Sequence, residues 1–404
     1  MSDASSFRPR LRPLESFRVP DESGDGTSLG LRDPSGLSDV VLTLTPAALF
    51  LMALMDGTRG YEDIRDQFRT AHGQDVPRDT LQGVVEQLER AMFLEGPRFE
   101  SHFDQLQDDY RRAPMRPMPH AEALGIDPQG CVFADWLAPH PPVPHTGTVQ
   151  GIIAPHLDYP RGGPCYARAY AALKNRPAPR RVVILGTNHF GRSQCVVATA
   201  QHFETPLGVT RCDVEFLGRL ERRCGDLRRY ELDHFREHSV ELQVGWLQHL
   251  FGADVFEMVG FLCPDPCGPT RTAPYDGQGV DLRVFAEALR ELIAVDAQDT
   301  LLVAGADLSH IGASFGDERE LDEAFLAEVA ARNQTALATL ERGDPEAFLD
   351  AHAADGNPTR VCSVGCIYAL ATALRPVTCT ILGYHQAVDG PTQTGVTCAA
   401  AVYA

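Results

Sequence analysis

The stretch TVQGIIAPHLDYPRGG, residues 148–163, contains the pattern that decides the fold of the larger part of the chain. Its apolar run stops at Pro155, and His156 follows at once. A short apolar run that ends at a proline is typical of a buried strand, because proline cannot donate a hydrogen bond to a neighbouring strand. The stretch therefore predicts a strand with an imidazole at its exit. A turn would account for the proline and the glycines but not for the histidine.

Two other apolar runs end in a similar way. Residues 182–185 lead to His189, and residues 301–304 lead to Asp307, with His310 close behind. In open α/β sheets, ligands bind outside the carboxyl ends of the strands. Imidazole is the commonest protein metal ligand, and it also titrates near neutral pH. Three such strand exits predict one shared pocket for binding or catalysis.

From residue 148 to residue 404, short apolar runs alternate with helical patterns. This alternation predicts an α/β fold, with a central mixed sheet and flanking helices on both of its faces. The strands are expected at TVQGIIAP, RRVVILGTN, QCVVATA, DTLLVAGAD, TCTILGYHQA and GVTCAAAVYA.

The first part of the chain has a different pattern. Residues 1–37 are polar and rich in Gly, Ser, Pro and Asp, which predicts a flexible arm. Three helices follow in residues 38–98, the first with Thr45 as its N-cap, and residues 93–95 are expected to form a short strand or wing after them. Together they predict a small winged-helix-like domain. Residues 99–147 are expected to connect this domain to the α/β domain at 148–404.

The segment ELDHFREHSVELQVGW, residues 231–246, holds two further histidines. His238 and Glu241 are three apart and are expected to share a helix face. His234 and His238 are four apart, as in zinc proteases, but Phe235 stands where that motif needs a glutamate. The segment therefore predicts no protease site, and His238 is the better functional candidate because it opens an apolar run.

A thiol opens the last predicted helix, in GNPTRVCSVGCIYALATAL, residues 356–374. A cysteine near a helix N-terminus tends to have a lowered pKa and therefore more thiolate. Cys362 and Cys366 lack the C-x-x-C redox spacing. We expect Cys362 to be functional and Cys366 to be part of the core.

Composition excludes several classes of protein. The formal net charge of −19 argues against nucleic-acid binding through a basic face. No apolar run is long enough for a transmembrane helix, and the N-terminus lacks the apolar region of a secretory signal, so we expect a cytoplasmic protein without a membrane anchor. Eleven scattered cysteines in such a chain predict free thiols rather than a disulfide framework.

Seven motifs occur in the order typical of one family, over about residues 115–404, and by them the chain resembles the Memo family. Bacterial members of this kind are called AmmeMemoRadiSam system protein B. The motifs are APHLDYPRGGPCYARAY, VVILGTNHFG, ETPLGVTRCD, DHFREHSVELQVGWLQHLFG, ADLSHIG, GNPTRVCSVGCIYAL and the tail that begins LGYHQAVDG.

The resemblance implies a fold similar to that of class III extradiol dioxygenases, which hold non-haem Fe(II). It also implies a metal bound by His156, His189 and Cys362. Around that metal it implies a catalytic group of Asp307, His310 and His238. Two imidazoles and a thiolate leave open positions on a metal, and their softness favours iron or copper, with zinc as a further candidate.

Two loops depart from the family pattern. Asp158 stands where the family has a small residue, within reach of the implied metal. The usual C-G-R-x-P-I becomes CSVGCI at 362–367, which removes an arginine that would bind an anionic group. The facial triad of Fe(II) oxygenases has a carboxylate where this chain has Cys362, so the residues favour metal binding over ring cleavage.

The segment LMDGTRGYEDIRDQF, residues 54–68, resembles the core of PqqD-like winged-helix domains. Such domains bind peptides or partner proteins, not DNA; a plain packing or dimerisation module explains the pattern equally well. The resemblance implies docking of a peptide or protein by this domain. The name of the system implies work beside a radical-SAM protein and an AMMECR-type protein.

Three functions remain open on the sequence. The first is a metal-dependent redox or dioxygenase-like enzyme. The second is a scaffold that binds metal or peptide without turnover. The third is a thiol hydrolase built from Cys362, a histidine and Asp307, which the absence of a G-x-S-x-G elbow makes the least favoured.

Overall fold

The computed structural model describes residues 7–20, 27–119, 121–144 and 147–404. Residues 1–6 and 21–26 of the predicted arm lie outside this part of the chain. The chain divides into two compact units, Met1–Arg112 and Ala113–Ala404. Within the described residues, no helix combines the length and the apolar character that crossing a bilayer requires.

The described part of the first unit contains a small antiparallel sheet and four helices. Its sheet has the order β1-β2-β3. Thr45 accepts a hydrogen bond from the Ala48 amide and caps the first helix, as predicted. The elements are β1 (Glu15–Pro20), β2 (Thr27–Arg32), β3 (Val41–Leu44), α1 (Pro46–Ala53), α2 (Tyr61–His72), α3 (Arg78–Arg90) and α4 (Pro97–Arg112).

Two features of this unit were not predicted. Strands β1 and β2 lie within the expected arm, where their pairing with each other and with β3 gives order that composition alone does not indicate. Helix α4 occupies the first part of the expected connector. Phe99, Phe103 and Tyr110 recur at helical spacing and are buried, so periodicity was a usable signal for this helix.

The second unit is built on a central sheet. Its elements are β4 (Met115–Pro117), α5 (Cys131–Leu137), β5 (Gly151–Ala154), α6 (Tyr159–Ala171), β6 (Arg181–Thr187), β7 (Val197–Thr199), β8 (His202–Thr205), β9 (Gly208–Thr210), α7 (Val214–Cys224), α8 (Glu241–Phe251), β10 (Glu257–Cys263), α9 (Leu282–Ile293), β11 (Thr300–Gly305), β12 (Asp307–Gly312), α10 (Glu323–Glu341), α11 (Pro345–Ala353), α12 (Val364–Ala373), β13 (Cys379–Asp389) and β14 (Thr394–Tyr403). Short 3₁₀ turns cover Glu231–His234 and Ala313–Phe315.

The central sheet has the order β12-β14-β5-β11-β6-β10-β7, and β13 pairs with β14. Strands β5, β11, β6 and β10 are parallel to one another, whereas β7, β12, β13 and β14 pair antiparallel. Strands β4, β8 and β9 form a separate small sheet. The predicted α/β fold with a central mixed sheet is confirmed.

Alternation along β6 explains why helices cover both faces of this sheet. Val182 and Ile184 point into one apolar cluster, and Val183 and Leu185 point into another. Because side chains alternate across a strand, a run that is apolar at every position must be buried on both faces. Helices α5, α6 and α8 supply aromatic residues to the first cluster, and α7, α9 and α12 pack into the second.

Several predicted boundaries were wrong. Strand β10 was not predicted, although its apolar run from Met258 to Cys263 resembles that of β6. Asp307 and His310 lie on β12, which pairs with β14, and not in a loop. The sequence also predicts a loop at Gly162 and Gly163 before the next helix, but both glycines lie inside α6, which begins at Tyr159 because Asp158 caps it.

Candidate metal centre

The carboxyl ends of β5, β6 and β11 lie side by side, and the segment before α12 meets them. In the paired register, Ala154 of β5 faces Gly305 of β11, and Leu185 of β6 faces Ala304. The residues that follow these strands must therefore emerge together. This is the edge at which parallel sheets place their ligands.

Three predicted ligands meet at this edge. A nitrogen of His156, a nitrogen of His189 and the Cys362 sulfur all lie within 4.8 Å of one another. The His156 Nε2 is 3.5 Å from the Cys362 Sγ. The two imidazole rings meet edge to face, with their centroids 4.8 Å apart. The residues brought together here are those that the family resemblance implies.

His156 is buried and held in a single tautomer. Its Nδ1 donates to the Gly305 carbonyl oxygen at 2.8 Å, so its Nε2 keeps a free lone pair that faces the thiol. Its backbone amide donates to Asp307 Oδ1 at 3.1 Å. Burial, together with His189 and His238, lowers the pKa of His156 well below its usual value, so the ring stays neutral.

His189 is anchored by a charged partner instead. Its Nδ1 lies 3.1 and 3.2 Å from the two carboxylate oxygens of Glu237, and its backbone amide donates to the same group at 2.8 Å. Burial alone would lower the pKa of His189, but Glu237 and the Cys362 thiol outweigh it and hold that pKa well above its usual value. The Nε2 of His189 is the atom left to face a ligand.

Glu237 was missed by sequence reasoning. Its side chain is fully buried, and it also accepts the backbone amides of His238 and Ser239 at 2.8 and 2.9 Å. Burial would raise the pKa of Glu237, but the charges of His189 and His238 and the hydrogen bonds from His189 hold it well below its usual range. Glu237 directly precedes His238 in the sequence, but its contact with His189, 48 residues away, is visible only in the fold.

His238 lies at the open side of the pocket. Its ring stacks on that of His189 with centroids 5.0 Å apart, and nearly a third of its side chain is exposed. His189, Glu237 and His238 form a second cluster with metal-ligand spacing. However, the Glu237 oxygens are already filled by three backbone amides and one imidazole, so this cluster supports the first one rather than holding a second ion.

The expected pairing of His238 with Glu241 was wrong. Helix α8 begins only at Glu241, so His238 precedes it. Glu241 is buried and forms an ion pair with Arg116, which also donates to the backbone oxygens of His234 and Glu237. This network fixes the segment that carries Glu237 and His238. Glu241 is thus a structural residue and does not face the pocket.

Asp307 lies beside the ligand nitrogen of His156, since its Oδ2 is 3.6 Å from the His156 Nε2. Burial raises the pKa of Asp307 to about 7, although the backbone amides of His156 and Leu157 donate to its carboxylate and oppose the rise. A carboxyl group with this pKa can hold or release a proton near neutral pH.

His310 stands apart from the three predicted ligands. Its Nδ1 contacts the carbonyl oxygens of Leu308 and Arg360 at 3.1 and 3.2 Å, and its ring meets Phe315 edge to face. Burial and the charge of His189 lower the pKa of His310 to about 4. Its ring nitrogens are not among those grouped around Cys362 within the described residues.

Cys362 reaches the pocket because α12 packs tightly behind it. A Cβ at Gly365 would collide with the carbonyl oxygen of Pro264, so only glycine allows this approach. The Cys362 Sγ lies 3.3 Å from Ser363 Oγ and 3.9 Å from the Asp307 carbonyl oxygen. Cys366 points into the core, where burial raises the pKa of its thiol to about 12.

Asp158 does not enter the pocket. Its carboxylate accepts the Arg161 amide at 3.1 Å as the N-cap of α6 and pairs with the Arg161 side chain at 2.6 Å. The departure from the family pattern at this position is therefore explained by helix capping.

Most of the chain is similar in sequence to known Memo-like proteins. Residues 133–402 match the family model described as Memo-like protein. A MEMO1 family protein from Aquifex aeolicus is 27% identical over 300 residues, which cover 74% of this chain and 75% of that protein. The MEMO1 family protein TTHA0924 from Thermus thermophilus is 27% identical over 345 residues, which cover 85% of this chain and 98% of that protein. Among solved structures, the uncharacterized protein JW3007 from Escherichia coli K12 matches 63% of this chain and 100% of its own at 17% identity, with a TM-score of 0.40.

Proposed function

Since the chain belongs to the Memo-like family, we propose that its pocket binds a metal ion through His156, His189 and Cys362. The observation that carries the proposal is the anchoring of both imidazoles. Each has its Nδ1 tied to an oxygen, Gly305 O for one ring and Glu237 for the other. Histidines that bind metals are oriented in this way by an outer oxygen acceptor.

The chemistry of the donor set fits a soft or borderline ion. Two imidazoles and a thiolate favour iron, copper or zinc over magnesium or calcium. His189, whose pKa is held high by Glu237 and Cys362, would release its proton when it binds the ion. Three protein ligands also leave room for a further molecule, as at catalytic metal sites. We favour iron or copper, because the proposed activity is a metal-dependent redox or dioxygenase-like reaction on a small molecule or a protein-borne group. Such a metal would supply electron transfer at the open position.

The surrounding residues would manage protons and position the reactant. Asp307, with a pKa of about 7, would hold or release a proton beside His156. His238, at the exposed side of the pocket, would carry protons between solvent and the interior. His310, with a pKa of about 4, would remain neutral and offer an imidazole to the reactant. We also propose that the fold around this pocket is similar to that of class III extradiol dioxygenases.

Metal analysis of protein purified without oxygen tests the site. We expect stoichiometric iron or copper in the native chain and its loss in both His156→Ala and Cys362→Ala. Cys131→Ala is the matched control, since Cys131 is an exposed thiol on α5, and it should retain the metal. Unchanged metal content in the His156 and Cys362 variants would refute the assignment.

A second candidate is a scaffold that holds or delivers metal without turnover. It is favoured by one observation, that a cysteine occupies the place that a carboxylate takes in the facial triad of Fe(II) oxygenases. The two functions differ in retention of the ion. A delivery protein should release copper or iron quickly to a competing chelator, whereas a catalytic centre should retain it during exposure to reductant and oxygen.

For the first unit we propose a PqqD-like docking role toward a radical-SAM protein, with an AMMECR-type protein as a further partner. Supporting it, Val41 on β3 is apolar and more than half exposed. A pull-down with the full chain should recover the radical-SAM protein, and Val41→Asp should weaken recovery. Val295→Asp, on an exposed apolar residue of the second unit, is the control. Equal recovery with both variants would count against this surface.

A further inference from the structure

We propose that the Ser363 hydroxyl donates a hydrogen bond to the Cys362 sulfur and thereby sets how strongly that thiolate donates electrons to the metal. Ser363 is a positioning residue in this role and does not itself reach the reactant. The inference rests on the proposed metal site and adds a control on its redox properties.

The hydroxyl lies at the meeting point of three groups. Ser363 is fully buried, and its Oγ accepts the Asp307 backbone amide at 3.0 Å. The same oxygen lies 3.1 Å from Thr187 Oγ1 and 3.3 Å from the Cys362 Sγ. Thr187 ends β6 and Asp307 begins β12, so two strands fix the position of this hydroxyl.

Counting donors and acceptors gives the direction of the bonds. A serine hydroxyl has one proton and two acceptor lone pairs. The Asp307 amide can only donate, and it uses one lone pair. If the Thr187 hydroxyl donates to the other, the single proton of Ser363 has only the Cys362 sulfur to bind. In the alternative arrangement the Ser363 hydroxyl donates its proton to Thr187 Oγ1. The Thr187 hydroxyl proton would then have only the distant Cys366 Sγ, at 3.9 Å, as an acceptor.

The charge of a metal-bound sulfur selects the first arrangement. A cysteine binds metal as thiolate, which has no proton and can only accept. A hydrogen bond to an ionised acceptor is stronger than one between neutral groups. Hydrogen bonds to a ligating sulfur withdraw electron density from it and tune the potential of the metal.

Co(II) loading tests the inference by spectroscopy, since Co(II) takes nitrogen and sulfur ligands and sulfur ligation gives a charge-transfer band. The native chain should show this band, and Cys362→Ser should lose it. Ser363→Ala should keep the band but move it to longer wavelength, because the sulfur electrons are then held less tightly. Ser363→Thr, which keeps the hydroxyl, should restore the native position.

Two further variants make the result specific. Ser309→Ala removes another fully buried hydroxyl, bound to Asn333 and Thr359 rather than to the sulfur, and should leave the band in place. Thr187→Val should also leave the charge-transfer band in place. A shift of the band to shorter wavelength in Thr187→Val would mean that the Ser363 proton points to Thr187 in the native chain, contrary to the proposal. If Ser363→Ala does not fold, Ser363→Gly gives the same hydroxyl deletion.

The outcomes separate this inference from the metal site itself. A native band that is lost in Cys362→Ser, with no shift in Ser363→Ala or Ser363→Gly, overturns the hydrogen bond and leaves the site intact. A native chain that binds Co(II) without any sulfur band overturns both. A lower reduction potential of the native metal in the Ser363→Ala chain would support the inference independently.

Discussion

His156 in the pocket and His352 on α11 are both buried, but the surroundings of His352 differ from those of the pocket histidines. His156 and His189 each have one ring nitrogen tied to an oxygen, and their other nitrogen faces a shared point. Neither ring nitrogen of His352 has a hydrogen-bond partner within the described residues, and its ring packs edge to face on Phe348 at 5.0 Å. The combination of one anchored nitrogen and one nitrogen that faces the shared point, rather than burial, thus distinguishes a proposed ligand from a residue that fills the core.

The largest difference in metal affinity should appear when a pocket histidine and the core histidine are each replaced by alanine. His189→Ala removes a proposed ligand, so we expect metal affinity to fall by more than about 100-fold, beyond the range for groups that only support a ligand. His352→Ala should bind metal as the native chain does and should only lose stability. Equilibrium dialysis against a metal buffer measures both. Comparable losses of affinity in the two variants would break the comparison.

Glu237→Gln tests the anchor itself. The amide would place an NH₂ group among N–H donors from His189, His238 and Ser239, and it would remove the charge that orients His189. We expect affinity to fall by about 10- to 100-fold, which corresponds to roughly 1.4 to 2.7 kcal/mol. Gln243→Glu would remove the hydrogen bond that Gln243 donates to the Pro155 carbonyl oxygen, so it is not a suitable control. His352→Ala is therefore the control here as well. Native affinity in Glu237→Gln would show that the carboxylate does not support the ligand.

Acid should destabilise the α11 region because of His352. Burial lowers the pKa of His352 to about 4, whereas an unfolded chain has a histidine pKa near 6.5, so the unfolded state binds the proton more readily. Above pH 6.5 His352 is neutral in both states and does not reduce the free energy of unfolding. As pH falls from 6.5 toward 4, protonation of the unfolded state reduces the free energy of unfolding progressively. We expect His352→Leu to remove about 2 kcal/mol of this loss.

Urea unfolding of the metal-free chain at pH 7 and pH 4.5 measures the effect. The His352→Leu chain should be as stable as the native chain at pH 7, since it replaces an unpartnered imidazole with an apolar side chain, and more stable at pH 4.5. An identical loss of stability in both chains on acidification would show that other groups are responsible.

The smallest effect is expected at Asp158, two residues beyond His156. Asp158→Ala removes the cap of α6, which costs about 1 kcal/mol of stability. Metal affinity should stay the same, because the carboxylate points to Arg161 and not to the pocket. Urea unfolding and equilibrium dialysis test the two parts. A clear change in metal affinity would return this residue to the site.

The sequence was sufficient where local pattern and function coincide. The strand exits before His156 and His189, and the thiol ahead of α12, could be recognised because each follows or opens a regular element. Thr45 could be recognised as a cap for the same reason. Each of these signals is contained within a few neighbouring residues, so the fold of the rest of the chain does not affect it.

The remaining features depend on contacts between distant segments. Glu237 is an outer support only because the segment that leads into α8 brings it to the loop of His189. The strand character of residues 307–312 comes from β14, which pairs with them from the far end of the chain. Ser363 gains its role from Thr187 and Asp307 together. No single window of sequence contains these partners.

The position of β5 has a consequence for how the protein is made. This strand, which delivers His156, lies between β11 and β14, and both of these are translated long after it. A nascent chain that has emerged only as far as His189 would present His156 and His189 without β11 and β14, which flank β5 in the finished sheet. Such late closure raises the sequence separation of the pairing that must form, which slows folding. Uptake of the proposed ion is therefore expected to follow the pairing of β14 with β5.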